Sequence, residues 1–159
     1  MRIEEGVQLA RFTTLGTGGP AHAFARPESE SDVEELLRWA QERSLGVAVV
    51  GLGSNLLAAD AGVDALVLKL GGELAGVEAR AEVLQVGGGA ANAVALHRAR
   101  AAGLGGFEFA CAIPGTIGGG VWMNAGAYGG DFARVLERAL VASADGSGWL
   151  TPEIGRAHV

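Results

Sequence analysis

The chain has 159 residues, with 18 acidic side chains against 12 Lys and Arg, for a net charge of −6. That length suits one ordinary domain or two small lobes, and the acidic balance weighs against a nucleic-acid-binding face. Hydrophobic residues make up 49% and charged residues 19%, which argues against disorder. The 27 glycines, far above the usual share of roughly 7%, predict many tight turns and close backbone approaches.

Residues 1–10 carry Glu4 and Glu5 and lack the apolar run of a signal peptide. From Phe12 to Phe24 the chain is rich in Thr and Gly, which reads as an ordered turn followed by a strand over Ala21 to Ala25. Ser31 with Glu34 three residues on predicts a capping box, and Val33, Leu36, Leu37 and Ala40 recur at helical spacing. That helix is expected to end near Arg43, stopped by Gly46. Strands are expected over Val47 to Val50, Leu66 to Leu70 and Val83 to Val86. Ala90 to Ala102 reads as a helix with Gly103 as its cap. The glycine-dense stretch Gly103 to Gly130 is expected to be irregular. Val135 to Ser143 is a final strand candidate, followed by an Asp145-Gly146 turn. A change of texture at Gly71-Gly72 suggests two lobes, 1–70 and 71–159.

Two segments carry the chemistry. In VVGLGSNLL, Val49 to Leu57, an apolar strand runs into Gly-x-Gly-Ser-Asn. Its glycines allow a sharp turn that leaves amides uncovered, so it is either an anion nest for a diphosphate or a plain tight turn. Gly53 is expected to leave room for the ligand, so that a side chain there would block binding and spare the fold. In Phe107 to Gly129 the turn Pro114-Gly115-Thr116 and the glycines Gly118, Gly119 and Gly120 are expected to expose further amides. Asn124 and Tyr128 add polar groups to an apolar run. Thr13 to Ala21 is either an N-terminal turn or a wall of the same pocket.

No metal site is expected, since His22, His97 and His158 are scattered. The single cysteine, Cys111, allows no internal disulfide and suggests a reducing compartment. With no apolar stretch long enough to span a bilayer, the expectation is a cytoplasmic domain without membrane, nucleic-acid or evident protein partner.

TTLGTGGPA (Thr13 to Ala21), VVGLGSNLL (Val49 to Leu57) and GLGGFEFACAIPGTIGGGVWMNAGAYGG (Gly103 to Gly130), in this order and spacing, resemble the UDP-N-acetylenolpyruvoylglucosamine reductase (MurB) family of flavoenzymes. The resemblance runs from about Arg11 to Leu150. It implies an α+β fold, the FAD-binding domain of the vanillyl-alcohol-oxidase (PCMH) type, with FAD between two α/β subdomains. It places Gly51, Gly53, Ser54, Asn55 and Leu56 at the FAD diphosphate. Ile113, Pro114, Gly115, Thr116, Gly118 and Gly119 would line the diphosphate and ribityl-flavin side, with Asn124, Gly126, Ala127 and Tyr128 toward the flavin. The implied reaction uses NADPH to reduce the enolpyruvyl group of a UDP-sugar, giving UDP-N-acetylmuramate.

After Thr151 the family pattern is lost. Arg156 lies near where the family carries an arginine, but no tyrosine precedes it, and no other catalytic residue is suggested. The expectation is therefore the FAD-binding part without the substrate-binding domain. Two other readings stay open: an FAD-dependent oxidase or dehydrogenase of the same fold family, and a non-catalytic flavin-binding module.

Overall fold

The computed structural model describes residues 2–152; Arg156 and His158 lie outside the described residues. Strand β1 (Ile3–Gln8) pairs antiparallel with β2 (Pro20–Ala25). Helix α1 (Glu30–Glu42) then crosses over to β3 (Gly46–Val49), and β4 (Val63–Leu68) inserts between β2 and β3, parallel to both. The sheet order is β1-β2-β4-β3. Strand β1 was not foreseen, because residues 1–10 alternate too weakly to announce a strand and are held by pairing with β2.

Both faces of this sheet are covered. On one, Ala23, Ala25, Leu66 and Leu68 meet Leu36 and Ala40 of α1. On the other, Ala21, Phe24 and Val67 pack with Leu9 and Val50, and partly buried Phe12, Leu56 and Ala58 close over them. This second face is where the Gly51 loop rests. β3 is an exposed edge, with Val47 and Val49 open to solvent.

The start of α1 differs from expectation. Ser29, not Ser31, is the N-cap, accepting from Asp32 N at 3.2 Å, while Asp32 Oδ2 accepts from the amides of Ser29 and Glu28 at 3.1 and 3.0 Å. The Glu28 amide, then the Ser29 hydroxyl, hold the Asp32 carboxyl below its ordinary pKa. Glu34 is engaged elsewhere, by Ser147 Oγ at 2.7 Å. The helix ends at Arg43 as expected, but the stop differs: Ser44, at φ +52°, is the left-handed residue, with Ser44 N bonded to Gln41 O and Leu45 N to Ala40 O. This is a Schellman ending two residues before Gly46, which instead opens β3.

Beyond residue 70, β5 (Val77–Arg80) and β6 (Val83–Val86) form a hairpin. Helix α2 (Asn92–Ala101) follows and ends at Gly103 as expected, with φ +71° and Leu104 N bonded to Ala99 O. The glycine-dense stretch is more regular than expected, since Ile117–Trp122 form a short helix, α3. β7 (Gly126–Ala127) and β8 (Gly130–Asp131) make a small hairpin. Phe107, Phe109 and Phe132 meet edge to face, centroids 5.4–5.6 Å apart, as the centre of a separate core. The last hairpin joins β9 (Ala139–Ser143) and β10 (Gly146–Leu150). Residues 132–134 form a 3₁₀ turn, so the final strand begins later than Val135.

Ser44 sits in a conformation that costs an L-residue roughly 1–2 kcal/mol over glycine. Ser44→Gly is therefore expected to stabilise the fold by about 0.5–1 kcal/mol, once glycine's greater unfolded-state freedom is subtracted. A thermal melt checks this; a lowered midpoint would mean that the Ser44 side chain contributes more than its backbone strain costs.

Candidate functional site: two facing loops of free amides

Val50 N bonds to Leu68 O at 2.8 Å, and the chain then leaves the sheet. From Gly51 to Asp60 no backbone N–H meets an acceptor among the described residues, whereas carbonyls of the same stretch are tied down. Gly51 O accepts from Lys69 Nζ at 2.5 Å, Gly53 O from Thr14 N at 3.0 Å, and Ala59 O from Gly19 N at 2.8 Å. In a trans peptide the C=O and the next N–H point in opposite directions. Pinning these three carbonyls to the body turns the amides of Leu52, Ser54 and Asp60 away from it. Leu56 packs its side chain into the core beneath the loop, leaving only its backbone for a ligand, while Asn55 is exposed.

Gly53 does not do what its place in the motif suggests. It has φ +69°, and a Cβ there would collide with the Phe12 carbonyl oxygen and lie 2.7 Å from Thr13 Cα. The glycine lets the Thr13 segment close against the loop from behind. That segment, knotted by Thr13 Oγ1 donating to Thr17 O at 2.7 Å, is thus a brace for the loop.

The second loop is organised in the same way. Asn92 Nδ2 donates to Ile113 O at 3.0 Å, Ser54 Oγ to Pro114 O at 2.8 Å, and Asn92 N to Gly115 O at 3.0 Å. Three successive carbonyls are pinned. The amides of Gly115 and Thr116, which lie opposite the last two, have no acceptor among the described residues. The two loops also touch directly: a Cβ on Gly51 would lie 2.5 Å from Thr116 Oγ1. Residues more than 60 positions apart are thereby joined into one amide-lined surface, where sequence placed two separate nests.

The glycines of α3 are a correction. Gly118 N donates to Gly88 O and Gly120 N to Thr116 O, and Gly119 N faces Thr116 Oγ1 at 3.4 Å. None of the three exposes a free amide. Gly118 lies against the backbone of Gly88, where a Cβ would come within 2.9 Å of its oxygen, and Gly120 against the Phe132 ring. Close packing demands glycine at both.

Asn124, at φ +42°, uses its Oδ1 to accept from Ala133 N at 2.8 Å. Gly126 and Ala127 are in β7, and Tyr128 occupies the β7–β8 turn at φ +51° and is 86% exposed. Tyr128 borders a cleft of about 390 Å³ with Cys111 and Gly129 that shares no lining residue with the two loops. His22 pairs with Asp64 at 2.9 Å, and the described residues contain no cluster of metal-ligating side chains.

Two contributors were not foreseen, Lys69 and Asn92. Lys69 lies just past β4, with its Nζ 5.8 Å from the centroid of Phe12, whose ring stacks on Phe24. Arg26 lies over the same two rings. Burial, then the Arg26 charge, push the Lys69 pKa down. A lysine ending an apolar strand was the only trace of this in the sequence.

Uncommitted amides at two touching loops, backed by a lysine, form a donor set that suits a phosphate-bearing cofactor. Comparison with known proteins agrees. The model of an FAD binding domain matches residues 21–149. The chain is 46% identical over 145 residues to UDP-N-acetylenolpyruvoylglucosamine reductase 2 of Symbiobacterium thermophilum, covering 91% of this chain and 47% of that protein. It is 43% identical over 153 residues to the reductase of Myxococcus xanthus, covering 94% and 49%. The crystal structure of the reductase (MurB) from Thermus caldophilus superposes with a TM-score of 0.80 at 34% identity, over 95% of this chain and 53% of that one. A cholesterol oxidase from Brevibacterium sterolicum shares the fold alone, with a TM-score of 0.66 at 16% identity, over 96% of this chain and 33% of that one. The chain spans about half the length of the curated relatives it matches. Among the described residues no helix is long and apolar enough to cross a membrane. The chain belongs to the FAD-binding domain family, within which it corresponds to the FAD-binding part of the UDP-N-acetylenolpyruvoylglucosamine reductases.

Proposed function

We propose that this chain is the FAD-binding half of a cytoplasmic reductase that converts UDP-N-acetylenolpyruvoylglucosamine to UDP-N-acetylmuramate with NADPH, in peptidoglycan precursor synthesis. The observation that carries the reading is the pair of touching loops whose carbonyls are bonded inward and whose amides are free. The flavin, when bound, supplies the hydride relay from NADPH to the enolpyruvyl double bond.

The chain's own share is to bind and orient. The amides of Leu52, Ser54, Gly115 and Thr116 would hold the diphosphate, with Gly51, Gly53, Asn55 and Leu56 shaping the first loop. Ile113, Pro114, Gly118 and Gly119 would set the second loop, and Asn124, Gly126, Ala127 and Tyr128 would border the flavin. The two lobes, 1–70 and 71–159, would then meet across the cofactor. Lys69 would add a positive charge behind the first loop in a chain that is otherwise acidic.

Titration of the 159-residue chain with FAD, followed by flavin fluorescence, is expected to show saturable one-to-one binding. Absence of saturation up to millimolar FAD would overturn the reading. Lys69→Met is expected to weaken FAD about tenfold, the effect of one hydrogen bond to a charged group, and Lys69→Arg to restore much of the loss. Equal affinity in wild type and Lys69→Met would remove the lysine from the site.

Gly53→Ala is expected to destabilise the whole fold by at least about 2 kcal/mol, through left-handed strain and collision with the Phe12 backbone. The chemical-denaturation midpoint and FAD affinity should fall together. A variant of wild-type stability that selectively lost FAD would instead assign Gly53 to clearing the diphosphate.

A further inference from the structure

Asn92 is 1% exposed, yet its Oδ1 has no hydrogen-bond partner. An orphaned buried acceptor is costly, so a fold retains one only where the rest of the side chain is needed. Asn92 is not capping its own helix: the N-cap of α2 is Ala91, with no side-chain cap bond. Its amide reaches across 21 residues to Ile113 O, while its backbone N–H holds Gly115 O. Pro114 between them has no N–H, so the turn cannot hold its own shape by a local amide at that position. The one remaining carbonyl, Pro114 O, is taken by Ser54 of the other loop.

We propose that Asn92 is a positioning residue for the cofactor's diphosphate: its side chain holds Ile113 O and its backbone N–H holds Gly115 O, which anchors the turn on both sides of Pro114 and sets the Thr116 amide toward the ligand side, while Ser54, through Pro114 O, sets the Gly115 amide. The inference rests on the reading of the two loops as an FAD site. It adds a residue outside every glycine-rich segment, and gives the buried polar side chain a reason to be there. Asn92 touches no ligand itself; it acts through the peptide planes of residues 113–116.

The test compares wild type with Asn92→Leu and Asn92→Asp, measuring melting temperature and the affinities for FAD, ADP and riboflavin. ADP carries a diphosphate without flavin; riboflavin carries the ring without phosphate. Asn92→Leu keeps the backbone bond to Gly115 O but releases Ile113 O; it trades the orphaned Oδ1 for one unheld carbonyl, so its melting temperature is expected to stay near wild type while the turn loses its side-chain anchor. Affinity for FAD and for ADP is expected to fall about tenfold or more, with riboflavin unchanged. Asn92→Asp keeps the volume but sets a carboxylate against the Ile113 carbonyl, and should show the same pattern if the leucine variant does not fold. Wild-type FAD and ADP affinity in a folded variant, or a riboflavin loss as large as that for FAD, overturns the inference alone. A wild-type chain that takes up no FAD overturns the reading of the loops and the inference together.

Discussion

The antiparallel arrangement of C=O and N–H within a trans peptide is the constraint on which the two loops depend. A loop can offer its amides outward only if its carbonyls find donors inward. Here the carbonyls of Gly51, Gly53, Ala59, Ile113, Pro114 and Gly115 do so, through Lys69, Thr14, Gly19, Asn92 and Ser54. Four of these donors lie outside both loops. The fifth, Ser54, belongs to one loop and holds the other, so the two form a single unit.

The sheet and its cores serve this arrangement. Phe24 and Val67 on the face away from α1 form the floor on which Leu56 and Phe12 pack. Lys69 follows directly after β4 and so reaches Gly51 O, two residues past the end of β3, its neighbour in the sheet. In the second region the Phe107, Phe109 and Phe132 cluster fixes α3 through Ile117 and Val121, and with it Thr116. Gly51 then meets the Thr116 side chain because it has no Cβ of its own in the way.

Charge acts locally against the chain's overall balance. Arg26 and Lys69 sit over the Phe12–Phe24 pair, two cations gathered behind the first loop of a chain with net charge −6. The aromatic faces favour both, and burial and mutual repulsion work against the Lys69 charge. An anion at the neighbouring amides would relieve that repulsion, so phosphate binding and the protonated lysine support each other.

By itself the sequence determined the local features. Periodicity of Val33, Leu36, Leu37 and Ala40 marked α1, Gly103 marked the end of α2, and three ordered motifs marked the FAD-binding family. These are short-range signals, written within a few residues by propensity, spacing and backbone freedom. Tertiary structure decided the rest. Ser29 capped α1 where Ser31 was expected, because Asp32 could accept from two amides while Glu34 was drawn to Ser147. Gly53, Gly118 and Gly120 proved to be packing glycines, since whether a missing Cβ makes room for a ligand or for another strand of backbone depends on what folds against it. Lys69 and Asn92 had no motif to announce them, because each acts on a carbonyl 18 or 21 residues away, a pairing that only the folded chain creates.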